Sequence, residues 1–66
     1  MRIDRIKLIT EMARKNLNVK DLVEKSGLSK VTISSVRSGK GCSKYTAEKI
    51  AKSLDMDVSD LMEVSE

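Results

Sequence analysis

The chain has 66 residues and a mass of 7.3 kDa, and 39% of its residues are apolar while 35% are charged. A chain of this length supports one small core, so we predict a single domain over residues 1–66. Histidine is absent and Cys42 is the only cysteine, which excludes an internal disulfide, a Cys/His zinc site and imidazole catalysis. The alternative is a carboxylate-only or lysine-based enzyme, but a chain this small has little room for a walled pocket. We therefore expect no enzyme, no metal and no cofactor.

The composition favours helices. Proline is absent, and the chain has three glycines and one aromatic residue, Tyr45. No apolar run is longer than two residues, so the sequence predicts neither a transmembrane helix nor the apolar region of a signal peptide. We expect a cytoplasmic protein that does not contact membranes.

The charges are divided unevenly along the chain. Residues 1–54 contain all thirteen basic residues and five acidic ones, which gives a net charge of +8. Residues 55–66 contain five acidic residues and no basic ones, which gives −5. A basic body attracts polyanions such as nucleic acids, although an ordinary solvated surface with an acidic end has the same distribution.

Segment 3–16 has the periodicity of an amphipathic first helix. Its apolar residues recur at steps of three and four. We expect an inward stripe of Ile6, Ile9, Met12 and Ala13, with Leu8 beside it.

A second helix is predicted after Asn18, which is a good N-cap residue. Asp21 would occupy the third helical position, where the helix dipole favours a carboxylate. Leu22 and Val23 are expected to face inward, and the helix should end at Gly27, because glycine readily adopts the left-handed conformation.

The third helix is predicted to begin after Ser29, its N-cap, and to end near Arg37. Leu28 should be buried before it, and Ile33 and Val36 should face the core. The outward positions contain short polar groups and cations but no carboxylate, which suits close approach to a base edge or a phosphate. These outward residues are Lys30, Val31, Thr32, Ser34, Ser35 and Arg37.

A fourth helix is predicted over residues 44–54, after a flexible loop at 38–42, with Ser43 as its N-cap. Its core positions recur at helical spacing. They are Ala47, Ile50, Ala51 and Leu54.

A short fifth helix is predicted over residues 58–64, with Asp57 as its cap, Asp60 at its third position and Leu61 in the core. The surrounding segment has more apolar residues than one short helix needs. This surplus favours a homodimer interface, the alternative being partial burial within one chain. The residues are Met56, Val58, Met62 and Val64.

The second and third helices, joined by a tight turn at Gly27, have the spacing of a helix-turn-helix. With the flanking segments they resemble the Cro/C1-type (XRE-like) helix-turn-helix repressor family over about residues 5–62. The matching stretches are Leu17-Asn18, residues 22–28 (LVEKSGL), 29–40 (SKVTISSVRSGK) and 46–61 (TAEKIAKSLDMDVSDL).

The resemblance implies an all-α, compact five-helix, lambda-repressor-like DNA-binding domain whose third helix enters the major groove. Matching positions imply that Lys30, Val31 and Ser34 face the bases, with Thr32 beside them. The implied phosphate contacts are Asn18, Ser29, Ser35, Arg37, Ser38, Lys40, Lys44 and Tyr45.

Three positions depart from the family pattern. Val19 stands where many members have glutamine, and Val23 stands where alanine is usual, which should push the two helices slightly apart. Arg37 replaces a commonly acidic residue and favours a phosphate contact.

Two further residues have two interpretations each. Tyr45 either packs on the core edge or contacts a phosphate. Cys42 is either an unremarkable thiol or a redox sensor.

The sequence thus predicts a sequence-specific regulator, a repressor that binds double-stranded DNA as a homodimer on a two-fold symmetric operator. The alternative is an antitoxin or accessory DNA-binding subunit that acts mainly through a protein partner. A third interpretation, an interaction module that has lost DNA binding, fits less well because the third helix has no outward carboxylate. No small-molecule site is evident.

Overall fold

The computed structural model describes residues 2–62, and within that range the chain forms five α-helices. They are α1 (Arg5–Arg14), α2 (Val19–Ser26), α3 (Lys30–Arg37), α4 (Lys44–Ser53) and α5 (Val58–Leu61). The described part contains no β-sheet; an isolated antiparallel bridge joins Ile3 to Met62. No helix between residues 2 and 62 is long and apolar enough to cross a membrane. The all-α fold predicted from the sequence is confirmed.

Side-chain caps begin four of the helices. Asn18, Ser29 and Ser43 cap α2, α3 and α4, as predicted, and each accepts a hydrogen bond from the third backbone N–H of its helix. The first helix starts later than residue 3, because Asp4 accepts hydrogen bonds from the N–H groups of its first turn. Asp57 is at the N-cap position of α5, but its side chain makes no capping bond.

Left-handed residues end four of the helices, and one of them is Gly39 after α3. Gly27 follows α2 with φ of 75°, as the sequence predicts. Asn16 and Asp55 close α1 and α4 with φ of 56° and 59°, although neither is glycine. In both cases the next N–H reaches back to a carbonyl five residues earlier, at 2.8 and 2.9 Å, which satisfies a carbonyl at the helix end.

The core lies where α2 packs on α3 and α4, α1 packs on α3, and α4 packs on α5. Burying each large aliphatic side chain contributes roughly 1.5–3 kcal/mol. The predicted core positions of α2 to α5 are confirmed, except that Val23 and Leu28 are only half-buried. The core residues are Ile3, Leu8, Met12, Leu22, Ile33, Val36, Ala47, Ile50, Ala51, Leu54 and Leu61.

The predicted inward stripe of α1 is wrong. Leu8 and Met12 are buried, whereas Ile6 is 61% exposed, Ile9 is 38% exposed and Ala13 is also exposed. The exposed residues, which we call the aliphatic row of α1 (Ile6, Ile9 and Ala13), lie roughly 60–160° around the helix from Leu8 and Met12. Both rows have helical spacing, so periodicity alone cannot distinguish them.

A long-range contact before α1 sets the rotation of this helix. The N–H of Asp4 donates to the carbonyl of Leu61 at 2.8 Å, and Ile3 is buried beside its bridge to Met62. Because the chain enters α1 from this anchored position, Leu8 and Met12 are the residues that meet the core.

The fifth helix is shorter than predicted. It ends at Leu61, because Met62 adopts an extended conformation in its bridge to Ile3. Residues 63–64 of the predicted helix lie outside the described residues, and so does Val64 as a candidate dimer residue. Met56, Val58 and Met62 are half-buried, and the first two pack on the chain's own core.

Candidate nucleic-acid interface

The turn between α2 and α3 is fixed by Gly27 and by a buried serine that the sequence analysis missed. The Ser26 hydroxyl donates to the carbonyl of Leu22 at 2.5 Å and accepts from the N–H of Leu28 at 3.1 Å. Ser26 is the one buried polar residue in the described part of the chain. A serine in the last turn before a glycine is the signal that could have indicated this role, because its hydroxyl bonds readily to nearby backbone.

The third helix presents one face to solvent. Ile33 and Val36 are buried against the body, whereas Val31, directly opposite them, is 75% exposed. Lys30, Ser34 and Arg37 are also exposed. We call these four residues the outer face of α3 (Lys30, Val31, Ser34 and Arg37). It contains two cations, one hydroxyl, one aliphatic side chain and no carboxylate.

Two predicted contact residues of α3 are less accessible than the outer face. Thr32 and Ser35 are half-buried. The Thr32 hydroxyl lies 2.8 Å from the Ser29 hydroxyl, which also accepts the Thr32 N–H at 3.1 Å. Both hydroxyls therefore stabilise the start of the helix first, which leaves each with less capacity for DNA.

The starts of α2 and α4 offer backbone donors. Asn18 and Asp21 form a reciprocal capping box, with distances of 2.8 and 3.0 Å. Ser43 caps α4 through Thr46 in the same way that Ser29 caps α3 through Thr32. In each helix the cap satisfies the third N–H, and the first two N–H groups have no partner within the helix, so an anion can accept from them.

The cations beside these helix starts form no ion pair within residues 2–62. Both ion pairs found among residues 2–62 involve Glu11 of α1, with Arg14 at 2.7 Å and Lys15 at 3.7 Å. Exposed cations on α3, in the loop after it and in the first turns of α2 and α4 therefore have no described ion-pair partner. They are Lys20, Lys30, Arg37, Lys40 and Lys44.

The loop after α3 is an ordered turn at its start. The Ser38 hydroxyl donates to the carbonyl of Ser34 at 2.9 Å, and Gly39 has φ of 96°. Glycine suits this position, because the left-handed conformation strains other residues. The turn leaves Ser38 and Lys40 exposed beside the outer face of α3.

Tyr45 is 64% exposed, so the alternative that it packs on the core edge is wrong. The ammonium of Lys49 lies 5.4 Å from the centroid of its ring, a cation–π contact that holds the ring on α4. Cys42 is half-buried, and this burial raises the pKa of its thiol above its usual range. This direction favours the unremarkable thiol over the redox sensor, which would need a lowered pKa.

The described residues contain no group of three or more His, Cys, Asp and Glu side chains that could hold a metal ion.

The model of one protein family, the Cro/C1-type HTH DNA-binding domain, matches residues 7–66, which is nearly the whole chain. Comparison with curated proteins and with solved structures gives no match. The helix-turn-helix and the family match lead to one conclusion: this chain belongs to the family of Cro/C1-type helix-turn-helix DNA-binding domains.

Proposed function

We propose that the protein is a transcriptional repressor that binds a two-fold symmetric operator as a homodimer, with α3 in the major groove. The observation that carries this proposal is the outer face of α3, which is exposed, contains Lys30 and Arg37, and has no carboxylate. A helix of about 10–12 Å diameter matches a major groove of about 12 Å width.

Base recognition is assigned to the N-terminal part of α3. Lys30 donates to guanine O6 or N7, Val31 packs on a thymine methyl, and Ser34 accepts or donates according to the base. Thr32 remains in the proposed set with a smaller role, because its hydroxyl already bonds to Ser29.

Phosphate contacts are assigned to the groups that surround the outer face of α3. Asn18 contributes its side-chain NH₂ and the free N–H groups of the helix that it caps. The others contribute a cation or a hydroxyl beside one of the three helix starts or the loop after α3. They are Ser29, Ser35, Arg37, Ser38, Lys40, Lys44 and Tyr45.

The homodimer is supported by the small size of one recognition helix and by the dimensions of the molecule, rather than by the C-terminal apolar residues. One eight-residue recognition helix buries too little surface for operator-grade affinity, so two copies are needed. The molecule measures 33 × 22 × 19 Å, so two copies side by side fit half-sites about 34 Å apart. Because Met56, Val58 and Met62 are half-buried in one chain, they support a dimer less than the sequence suggested. Sedimentation at micromolar concentration should detect a species of twice 7.3 kDa; the 7.3 kDa species alone would contradict the dimer.

A mobility-shift assay with DNA from the upstream region of the protein's own operon tests the repressor proposal. We expect the operator to compete at least about 10³-fold better than mixed-sequence DNA near physiological salt. Equal competition would contradict sequence-specific regulation. If the operator affinity is weak but a folded complex with another protein binds tightly, the accessory-subunit alternative is correct.

The division between base and phosphate contacts has its own test in two lysine variants. Lys30→Ala should lower the discrimination at one base pair by about 1–3 kcal/mol. Lys40→Ala should weaken binding to all sequences alike and reduce the slope of log K against log salt by about 0.9. Identical behaviour of the two variants would contradict the assignment.

A further inference from the structure

The aliphatic row of α1 serves no purpose in the core. Ile6 is 61% exposed and Ile9 is 38% exposed, although Leu8 and Met12 already supply the buried contacts of the same helix. Single exposed aliphatic residues are common on proteins, but this row continues into a groove with a distinct chemistry.

The groove lies where α1, α2 and α3 meet, and its volume is about 510 Å³. Two residues of the aliphatic row, Ile9 and Ala13, belong to it. Met12, Leu17 and Val19 complete its apolar floor. The floor is therefore apolar apart from Asn18 at the start of α2.

The edges of this groove are basic. Lys20 of α2 and Lys30 and Arg37 of α3 line it, and no carboxylate lies among the lining residues. None of these three cations has an ion-pair partner between residues 2 and 62. Asp21, which follows Lys20 in sequence, uses a carboxylate oxygen in the capping box with Asn18. An occupant that fits this charge is acidic.

We propose that the groove binds an acidic, amphipathic helical segment of a partner protein, with apolar side chains on the floor and carboxylates at Lys20, Lys30 and Arg37. A helix is favoured over a small molecule because the aliphatic row extends along α1 to Ile6, roughly 10 Å from Ala13. Pairing of this groove with the same groove of a second copy is disfavoured because two basic grooves would repel.

The bound segment would compete with DNA. Lys30 and Arg37 belong both to the groove and to the outer face of α3. A carboxylate bound to Lys30 would block its contact with a base, and one bound to Arg37 would block its contact with a phosphate. This part of the inference rests on the proposed function, whereas binding of the peptide itself does not. The partner would therefore act as an acidic antagonist that relieves repression.

The test is a nuclear magnetic resonance titration of the full-length ¹⁵N-labelled chain with a synthetic peptide of about 14 residues. Its leucines are spaced at i, i+3, i+4 and i+7, and its other exposed positions are glutamate. We expect the amide signals of Ile6, Ile9, Ala13, Lys20 and Arg37 to shift most. A control peptide with glutamine in place of every glutamate should bind about tenfold more weakly, because it lacks the charges.

A pair of charge variants separates the groove from general electrostatics. Ala13→Glu adds a negative charge to the groove floor and should weaken binding of the acidic peptide about tenfold. Ser59→Glu adds the same charge to an exposed position of α5 and should change the peptide affinity less than about twofold. Thermal unfolding of both variants confirms that each is folded. Equal effects of the two variants would overturn the groove as the binding site.

A fluorescent DNA duplex added to the same samples reports the competition. Displacement of the duplex by the acidic peptide, but not by the glutamine peptide, supports the inference. Binding of the peptide without displacement of the duplex would overturn the inference that the two ligands compete. Peptide binding by a chain that binds no duplex at any salt concentration supports the groove and contradicts the proposed function. Concentration-dependent shifts of Ile6 and Ile9 without peptide overturn the partner helix in favour of a second copy.

Discussion

Two exposed helical surfaces of this molecule have opposite chemistry. The outer face of α3 is polar and basic, and it projects from a helix whose buried side, Ile33 and Val36, is unambiguous. The aliphatic row of α1 is apolar and lies beside a second apolar row that is buried. The comparison shows that an amphipathic pattern identifies the core side of a helix only where one apolar row exists.

The two surfaces also differ in what positions them. Local signals fix α3, because Gly27 turns the chain and Ser29 caps the helix. A distant contact fixes α1, because Asp4 bonds to the carbonyl of Leu61. Each surface can therefore be changed by substitutions that leave the other intact.

The largest expected effect separates the two rows of α1. Leu8→Ala removes a fully buried side chain and should lower the free energy of unfolding by about 2–5 kcal/mol. Ile6→Ala, the matched control, removes an exposed side chain and should change it by less than about 0.5 kcal/mol. Urea unfolding monitored by circular dichroism measures both. Equal losses would mean that α1 has the rotation first predicted from the sequence.

The next effect tests the turn that directs α3. Gly27→Ala places a side chain at φ of 75°, where no atom within 4 Å would clash with it, so backbone strain alone should cost about 1–2 kcal/mol. Gly41→Ala is the matched control, because Gly41 is not among the described residues with positive φ, and its effect should be below about 0.5 kcal/mol. A Gly27 variant as stable as the wild type would contradict this role of the turn.

A smaller effect distinguishes two equivalent helix caps. Ser29→Ala and Ser43→Ala each remove a hydroxyl that accepts an N–H in the first turn, so each should lower the free energy of unfolding by about 1 kcal/mol. Only Ser29 is among the proposed DNA contacts, so Ser29→Ala alone should weaken DNA binding beyond its effect on stability. Titration of a labelled duplex at a temperature where both variants are folded measures the difference; equal affinities would remove Ser29 from the site.

The smallest effect concerns Cys42, which lies outside both surfaces. Because burial raises the pKa of its thiol, the unfolded chain ionises first as the pH rises. The thiol therefore contributes to the free energy of unfolding below its pKa in the unfolded chain. This contribution is lost as the pH rises through the pKa of the thiol in the folded chain. We expect a thiol reagent to react severalfold more slowly with the folded chain than with the chain in urea at pH 8. Faster reaction in the folded chain would revive the redox interpretation.

The comparison also explains what the sequence could and could not predict. Caps at Asn18, Ser29 and Ser43 and the turn at Gly27 follow from local chemistry, so the helix-turn-helix was predictable. The rotation of α1 and the end of α5 depend on the pairing of Ile3 with Met62, which joins residues near opposite ends of the chain. Local periodicity does not contain that information.

The candidate site follows the same division. The exposure of Lys30, Val31 and Ser34 follows from the spacing of Ile33 and Val36. The engagement of Thr32 with Ser29 and the buried role of Ser26 depend on side-chain geometry at the helix ends. Sequence alone therefore identifies the surface but not which of its hydroxyls are free.

If DNA contacts the outer face of α3, a titration can detect the contact without knowledge of the operator. A mixed-sequence duplex is added at low salt to the ¹⁵N-labelled chain, and amide shifts are mapped onto the structure. We predict the largest shifts at residues 30–35 and at the first turns of α2 and α4, with little change in α5. Shifts concentrated in α5 and the end of α4, with residues 30–35 unaffected, would mean that DNA binds a different surface.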